Sequence, residues 1–123
     1  MILVDSSVWI EHVRAGADER LMELLDREDV LTHPFVIGEI AIGHVRRREA
    51  VLVALSLLDQ VEVCDDSEVL DFIARHRLVG SGIGYIDAHL LAATKLTDGC
   101  SVWTLDRRFH EAALRLGLAA DRP

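Results

Sequence analysis

The fold is decided by the opening stretch, Met1-Ile-Leu-Val-Asp5-Ser-Ser7. A short continuous apolar run that ends at an acid is typical of a strand buried on both faces of a parallel sheet. A β-branched and aromatic run over residues 101–105 has the same form and also ends at an acid, Asp106. Both segments are therefore predicted to be buried strands.

Helical patterns fill most of the chain between these strands. Ser7 is predicted to cap a helix that runs through Val13, and Asp18 is predicted to cap a second helix with an apolar stripe. Further helices are predicted over 35–46 and 49–58, from Ser67 toward the glycines at 80, 82 and 84, and over 85–97 and 107–116. Further strands are predicted at residues 30–31 and 61–64. Strands separated by helices predict an α/β fold with a mostly parallel sheet, because parallel neighbours need crossover connections.

Length and composition restrict the class of protein. The chain has 123 residues, half of them hydrophobic and 28% charged, which predicts one folded domain over residues 1–123. No uncharged run approaches the roughly 18 residues of a membrane span, and the start lacks a basic leader, so we expect a cytoplasmic protein without a membrane role. The two cysteines have no zinc-binding spacing and are expected to be free thiols. The net charge of −8 opposes undirected binding to nucleic acid.

Four acids stand in apolar surroundings, where an unpaired carboxylate is costly. They are Asp5, Glu39, Asp87 and Asp106. Each also has a purely structural interpretation. Asp5 and Asp106 could cap the helices that follow them, Glu39 could pair with an arginine, and Asp87 could be an ordinary acid at a helix start.

Together the four acids predict a metal site. Carboxylates that converge at one end of a sheet repel each other, and a divalent cation removes that repulsion. Oxygen-only ligands suit Mg²⁺ or Mn²⁺, and the natural use of such an ion is hydrolysis of a phosphodiester. Thr104 and Ser6, each close in sequence to one of these acids, could orient a water molecule or a carboxylate, or could bond to the local backbone.

The arrangement of these motifs resembles the PIN-domain family, and more narrowly its VapC ribonuclease toxins. The resemblance rests on the opening strand with Asp5, on Glu39 in its apolar helix, on Ile86-Asp87-Ala88, and on Trp103-Thr104-Leu105-Asp106. It covers essentially the whole chain. It implies a three-layer α/β fold around a parallel sheet of about five strands flanked by helices.

The same resemblance implies an activity. A VapC-like protein would be an Mg²⁺- or Mn²⁺-dependent endoribonuclease, the toxin of a type II toxin–antitoxin pair, that cuts a tRNA or ribosomal RNA loop to inhibit translation and growth. Asp5, Glu39, Asp87 and Asp106 would bind the metal, with Thr104 completing the catalytic set. The implied partners are RNA, a VapB-like antitoxin and a second copy of the chain.

One position departs from the family pattern. Many relatives carry a further acid two residues after the position that matches Asp106, and this chain has Arg108 there. A second metal site is therefore not expected. Arg108 could instead contact an RNA phosphate or an antitoxin carboxylate.

Two other classes of function use the same residues. A metal-dependent phosphatase or DNA flap nuclease also needs clustered acids, although the Asp5-Ser6-Ser7 start lacks the paired aspartates of one large phosphatase class. A phosphoacceptor receiver module would bind metal without catalysis. Receivers usually carry adjacent acids after the first strand and a lysine after a late strand, whereas the only lysine, Lys95, falls in a predicted helix.

Overall fold

The computed structural model describes residues 1–121, so the last two residues of the predicted domain, 122 and 123, lie outside the described part. Seven helices and four strands alternate along these residues. In chain order they are β1 (Ile2–Val4), α1 (Ser6–Ala15), α2 (Glu19–Asp26), β2 (Val30–Thr32), α3 (Pro34–Ile42), α4 (Arg48–Ser56), β3 (Asp59–Gln60), α5 (Asp66–Arg75), α6 (Tyr85–Leu96), β4 (Ser101–Trp103) and α7 (Arg107–Arg115).

The strands form one parallel sheet in the order β3-β2-β1-β4, which confirms the α/β prediction. The opening strand lies in the interior of the sheet, with Leu3 opposite Leu31 on one side and Val102 on the other. The sheet has four strands where about five were expected. The chain beyond α7 approaches the free edge of β4 but makes only an isolated bridge between Val102 and Ala119.

The third strand was predicted in the wrong place. Residues 61–64 alternate apolar and acidic, yet β3 is the two-residue segment before them. The Val61 N–H still bonds to the Thr32 carbonyl at 3.0 Å, after which the chain leaves the sheet and the Glu62 N–H bonds to the Thr97 hydroxyl. Val63 is half exposed, so the alternation reflects a loop packed on the core and not a sheet face.

Most predicted helices are present, with boundaries shifted by local chemistry. The first helix begins at Ser6 and continues to Ala15, beyond the predicted end. The helix predicted over 35–46 ends at Ile42, because Gly43 adopts an extended conformation. Asp18 caps α2 by accepting a hydrogen bond from the Leu21 N–H at 3.0 Å, as predicted.

The core lies on both faces of the sheet and encloses α6. Every residue from 88 to 94 is buried, so the middle of this helix has no solvent face. The two cysteines are free thiols, as expected. Among residues 1–121, no helix combines the length and the apolar character needed to cross a bilayer.

Candidate active site

The topology brings the predicted site residues to the carboxyl edge of the sheet. Asp5 follows β1, and Thr104 and Asp106 follow its neighbour β4. Glu39 lies in the helix that follows β2, the neighbour on the other side. Asp87 lies in the first turn of α6, and a helix that leads into a parallel strand begins at the carboxyl edge of the sheet.

Asp5 is the buried centre of the site. It is only 5% exposed, and its Oδ2 accepts hydrogen bonds from the hydroxyls of Ser7 and Thr104, both at 2.8 Å. Asp5 occupies the cap position of α1, but its side chain makes no capping hydrogen bond. The capping interpretation is therefore wrong for Asp5, and its Oδ1 makes no hydrogen bond within residues 1–121.

Two hydroxyls fix this carboxylate to the loop after β4. The Thr104 hydroxyl donates to Asp5 and accepts from the Asp106 N–H at 3.0 Å. The Ser7 hydroxyl donates to Asp5 and accepts from the Leu105 N–H, also at 3.0 Å. The sequence indicated Thr104 but assigned Ser7 to a helix cap. The signal for Ser7 was its position two residues after an acid at a strand end, where its hydroxyl can reach the carboxylate.

Glu39 is half-buried and faces Asp5. Its Oε1 accepts a weak hydrogen bond from the Ser6 hydroxyl at 3.3 Å. Burial raises the pKa of Glu39, and the charge of Asp5 raises it further against the opposing effect of Ser6. No arginine or lysine of the described residues forms a salt bridge with Glu39. The ion-pair interpretation is therefore wrong for this residue.

Asp87 carries the largest electrostatic perturbation of the four acids. Burial raises its pKa to about 6, and the charges of Asp5, Asp106 and Glu39 add to the rise. The Gly84 N–H donates to Asp87 Oδ2 at 3.4 Å and partly opposes it. All four carboxylates therefore interact through a single residue, which is what a shared site requires.

Asp106 differs from the other three acids. It is exposed, contrary to the apolar surroundings inferred from the sequence, and its Oδ1 caps α7 by accepting from the Phe109 N–H at 3.0 Å. The capping interpretation is correct here. Capping uses one carboxylate oxygen and leaves Oδ2 for another ligand.

The donor chemistry of the four acids fits a hard divalent cation. All the donors are carboxylate oxygens, two of the four have raised pKa values, and no basic side chain of the described residues neutralises them. Within residues 1–121 the acids do not already form a tight ligand cluster. This suits an ion held by few protein carboxylates with water and phosphate in the remaining positions.

Comparison with known proteins identifies the family of this chain. Residues 2–114 match the family described as PIN domain, and all four acids and Thr104 fall within that range. The chain belongs to the PIN-domain family. Ribonuclease VapC32 of Mycobacterium tuberculosis, in strains CDC 1551 / Oshkosh and ATCC 25618 / H37Rv, is 47% identical over 119 residues, which cover 97% of this chain and 95% of the relative. The PIN domain is therefore of the VapC-like toxin ribonuclease type.

A solved structure supports the fold of this PIN domain. The FitAcB structure from Neisseria gonorrhoeae superposes with a TM-score of 0.60 at 23% identity, covering 97% of this chain and 95% of that one. At this identity the likeness concerns the fold. It agrees with the parallel sheet flanked by helices.

A buried histidine supports the glutamate-bearing helix of the PIN domain. His33 is fully buried and caps α3, since its Nδ1 accepts from the Phe35 N–H at 2.9 Å. Burial lowers the pKa of His33 to about 4, with a smaller contribution from His89, so the ring is neutral near pH 7. The sequence pattern did not indicate this cap.

Proposed function

We propose that this PIN domain is a divalent-metal-dependent endoribonuclease that acts as the toxin of a type II toxin–antitoxin pair. The observation that carries the proposal is the clustering of Asp5, Glu39 and Asp87, where burial, and after it the repulsion between the carboxylates, raises the pKa values of Glu39 and Asp87. A bound cation would relieve that repulsion. The 47% identity with Ribonuclease VapC32 supports RNA as the substrate. Cleavage of a tRNA or ribosomal RNA loop would then inhibit translation and growth.

The four acids would hold Mg²⁺ or Mn²⁺, and the ion would polarise a phosphoryl oxygen and lower the pKa of bound water. Thr104 and Ser7 would act as positioning residues that fix the rotamer of Asp5. One of these carboxylates would accept the proton of the attacking water. A single-stranded loop is the expected target, since an A-form duplex gives the scissile phosphate poor access to the ion.

The proposed partners follow from the toxin assignment. A VapB-like antitoxin would inhibit most simply by placing a basic side chain among the four acids, where it would displace the cation. Adding purified antitoxin should therefore reduce both metal binding and cleavage, and an antitoxin that changes neither would contradict this mechanism. The homodimer and the cytoplasmic location remain predictions, tested by sedimentation and by fractionation.

The test of the proposal is cleavage of total cellular RNA with Mg²⁺, with Mn²⁺ and with EDTA, followed by mapping of every new 5′ end. Wild type should give discrete cuts that need metal, and Asp5→Asn should give none. Asp26→Asn is the matched control, because Asp26 is an exposed acid at the end of α2 and its variant should cut as wild type does. Full activity of Asp5→Asn would refute the proposal.

The purified protein is also used to test the two alternatives, a flap nuclease or phosphatase and a receiver module. Flap DNA and a small phosphate ester are compared with RNA under identical conditions. Cleavage of RNA alone excludes the flap nuclease and the phosphatase. Transfer of phosphate from acetyl phosphate to an aspartate, without any cleavage, would instead support the receiver module.

A further inference from the structure

A polar cavity lies between α7 and the loop that precedes α6. It has a volume of about 240 Å³ and is lined by Ser81, Arg108, Glu111, Ala112 and Arg115. The four α7 residues recur at three- and four-residue spacing and so share one helix face. The opposite wall is the glycine-containing loop that leads to Asp87.

The two arginines of this cavity have no acidic partner among residues 1–121. Arg115 donates to the carbonyl oxygens of His76 and Arg77, at 2.9 and 3.4 Å, and Arg108 forms no salt bridge within the described residues. The carboxylate of Glu111 is paired with Arg107 at 3.5 Å. In a chain of net charge −8, two uncompensated guanidinium groups in one cavity make a local anion-attracting site.

Two residues of the loop before α6, Gly82 and Ser81, shape the wall of this cavity. Gly82 has φ +84°, and a Cβ there would lie 2.5 Å from Arg108 Nη1 and 2.7 Å from its Cδ, so the arginine side chain packs directly on the glycine backbone. The Ser81 hydroxyl is shielded from solvent and has no hydrogen-bond partner among the described residues. It is therefore a donor without a partner, in a residue that lines the cavity.

Both walls of the cavity continue into the acid site. Arg108 is two residues from Asp106, and Gly82 is two residues from Gly84, whose N–H bonds to Asp87. Two residues of chain span at most about 7 Å. The Arg108 end of the cavity therefore lies close to the acid site, whereas Arg115 lies seven residues, or about 10 Å, further along α7.

We propose that Arg108, Arg115 and Ser81 form a subsite for a backbone phosphate of RNA adjacent to the scissile phosphate. This inference rests on the proposed ribonuclease function and adds a substrate-positioning site to it. Guanidinium groups bind phosphate through charge-assisted, often bidentate hydrogen bonds, and the Ser81 hydroxyl supplies a further donor. The subsite would give an acidic protein a local attraction for a polyanion.

The experiment measures binding of fluorescein-labelled decauridylate by anisotropy, with EDTA and in the Asp5→Asn background, so that no cleavage occurs. Arg108→Ala and Arg115→Gln should each weaken binding by about tenfold, and each should reduce the slope of log affinity against log salt by about 0.7. The glutamine retains an amide donor for the two carbonyl oxygens. Glu111→Gln should strengthen binding, because it removes an acid from the cavity wall.

Arg27→Ala is the matched control, because it removes the same charge from a solvent-exposed, salt-bridged arginine on α2 and should leave affinity and slope unchanged. If the Asp5→Asn protein and both arginine variants made in it bind decauridylate with equal affinity and equal salt dependence, the subsite is wrong. An equally large loss of affinity in Arg27→Ala would also overturn it, since the loss would then come from the change in net charge and not from the cavity. If the arginine variants instead lose affinity only for a polyglutamate peptide, the cavity binds a protein acid and the RNA subsite is wrong.

Metal-dependent RNA cleavage, measured in parallel on wild type and Asp5→Asn without the arginine changes, separates the two hypotheses. Cleavage that requires Asp5, with no effect of the arginines on binding, overturns only the subsite. Loss of binding in the arginine variants, with cleavage that does not need Asp5, overturns the acid-site mechanism and leaves the subsite standing.

Discussion

At the scale of single residues, Thr104 connects two strands through one hydroxyl. It is 2% exposed, donates to the Asp5 carboxylate and accepts from the Asp106 N–H. Thr104→Val keeps the shape but removes both hydrogen bonds, so we expect a loss of about 1–3 kcal/mol in the free energy of unfolding. RNA cleavage should fall by about tenfold or more, because positioning partners of metal ligands have effects of that size.

Thr104→Ser is the control for this prediction. It restores the hydroxyl and loses only a methyl group, which should cost about 1 kcal/mol of stability and leave cleavage near that of wild type. Urea unfolding and the RNA assay measure the two quantities. Equal activity of the valine and serine variants would show that the hydroxyl does not position Asp5.

Asp87 should make the metal-free protein less stable at neutral pH. Its pKa is about 6 in the folded chain against an ordinary value of 3.8, so the native state holds the proton more tightly. The free energy of unfolding therefore falls as pH rises from about 4 to about 6. The side chain is half exposed, and after allowance for solvent screening the penalty at pH 7 is about 1 kcal/mol.

Asp87→Asn should accordingly stabilise the protein by about 1 kcal/mol at pH 7 in EDTA, have little effect near pH 4, and abolish cleavage. Urea unfolding at the two pH values measures this, with Asp26→Asn as the control for loss of one negative charge. A destabilised Asp87→Asn variant at pH 7 would show that the carboxylate contributes favourable contacts in the folded state and is not strained by its neighbours.

At the scale of elements, the loop before α6 depends on glycines for two different reasons. Gly80 and Gly82 have φ +76° and +84°, so alanine at either position should cost about 1 kcal/mol of backbone strain. A Cβ at position 80 meets nothing within 4 Å, whereas at position 82 it meets Arg108. Both alanine variants should lose similar stability in urea unfolding.

Only Gly82→Ala should also weaken binding of decauridylate, because it displaces the Arg108 guanidinium from the cavity. Gly80→Ala serves as the matched control for strain in the same loop. If both variants bind RNA as tightly as the unchanged chain, the contact between Gly82 and Arg108 does not position the arginine for RNA.

Helices and strands could be predicted from the sequence wherever the pattern of apolar residues was strong. The apolar runs before Asp5 and Asp106 predicted β1 and β4, because strands buried on both faces need continuous apolar residues. The alternation over residues 61–64 gave a wrong strand prediction, because a loop packed on a core can have the same alternating pattern as a strand. The ends of helices depended on the backbone conformation of single residues, such as the extended Gly43 at which α3 ends.

At the scale of the whole molecule, the sheet topology brings the four acids to one edge of the sheet. It also determines which features of the site can be predicted from the sequence. The four acids were identifiable because each is out of place in an apolar segment, and parallel neighbours bring their strand ends together. The exposure of Asp106, the hydroxyl of Ser7 on Asp5 and the His33 cap depend on rotamers and neighbours that no local pattern specifies. The cavity at Arg108 likewise requires the loop before α6 to fold against α7.

The most direct test of the central claim, that four acids from separate elements share one divalent cation, is Mn²⁺ binding measured by the loss of the free-ion electron paramagnetic resonance signal. Wild type and Asp26→Asn should bind Mn²⁺ equally, and the affinity should rise with pH through about 6 as Asp87 loses its proton. Asp5→Asn and Asp87→Asn should each bind at least about tenfold more weakly. Equal Mn²⁺ affinity in all four proteins would contradict the shared metal site.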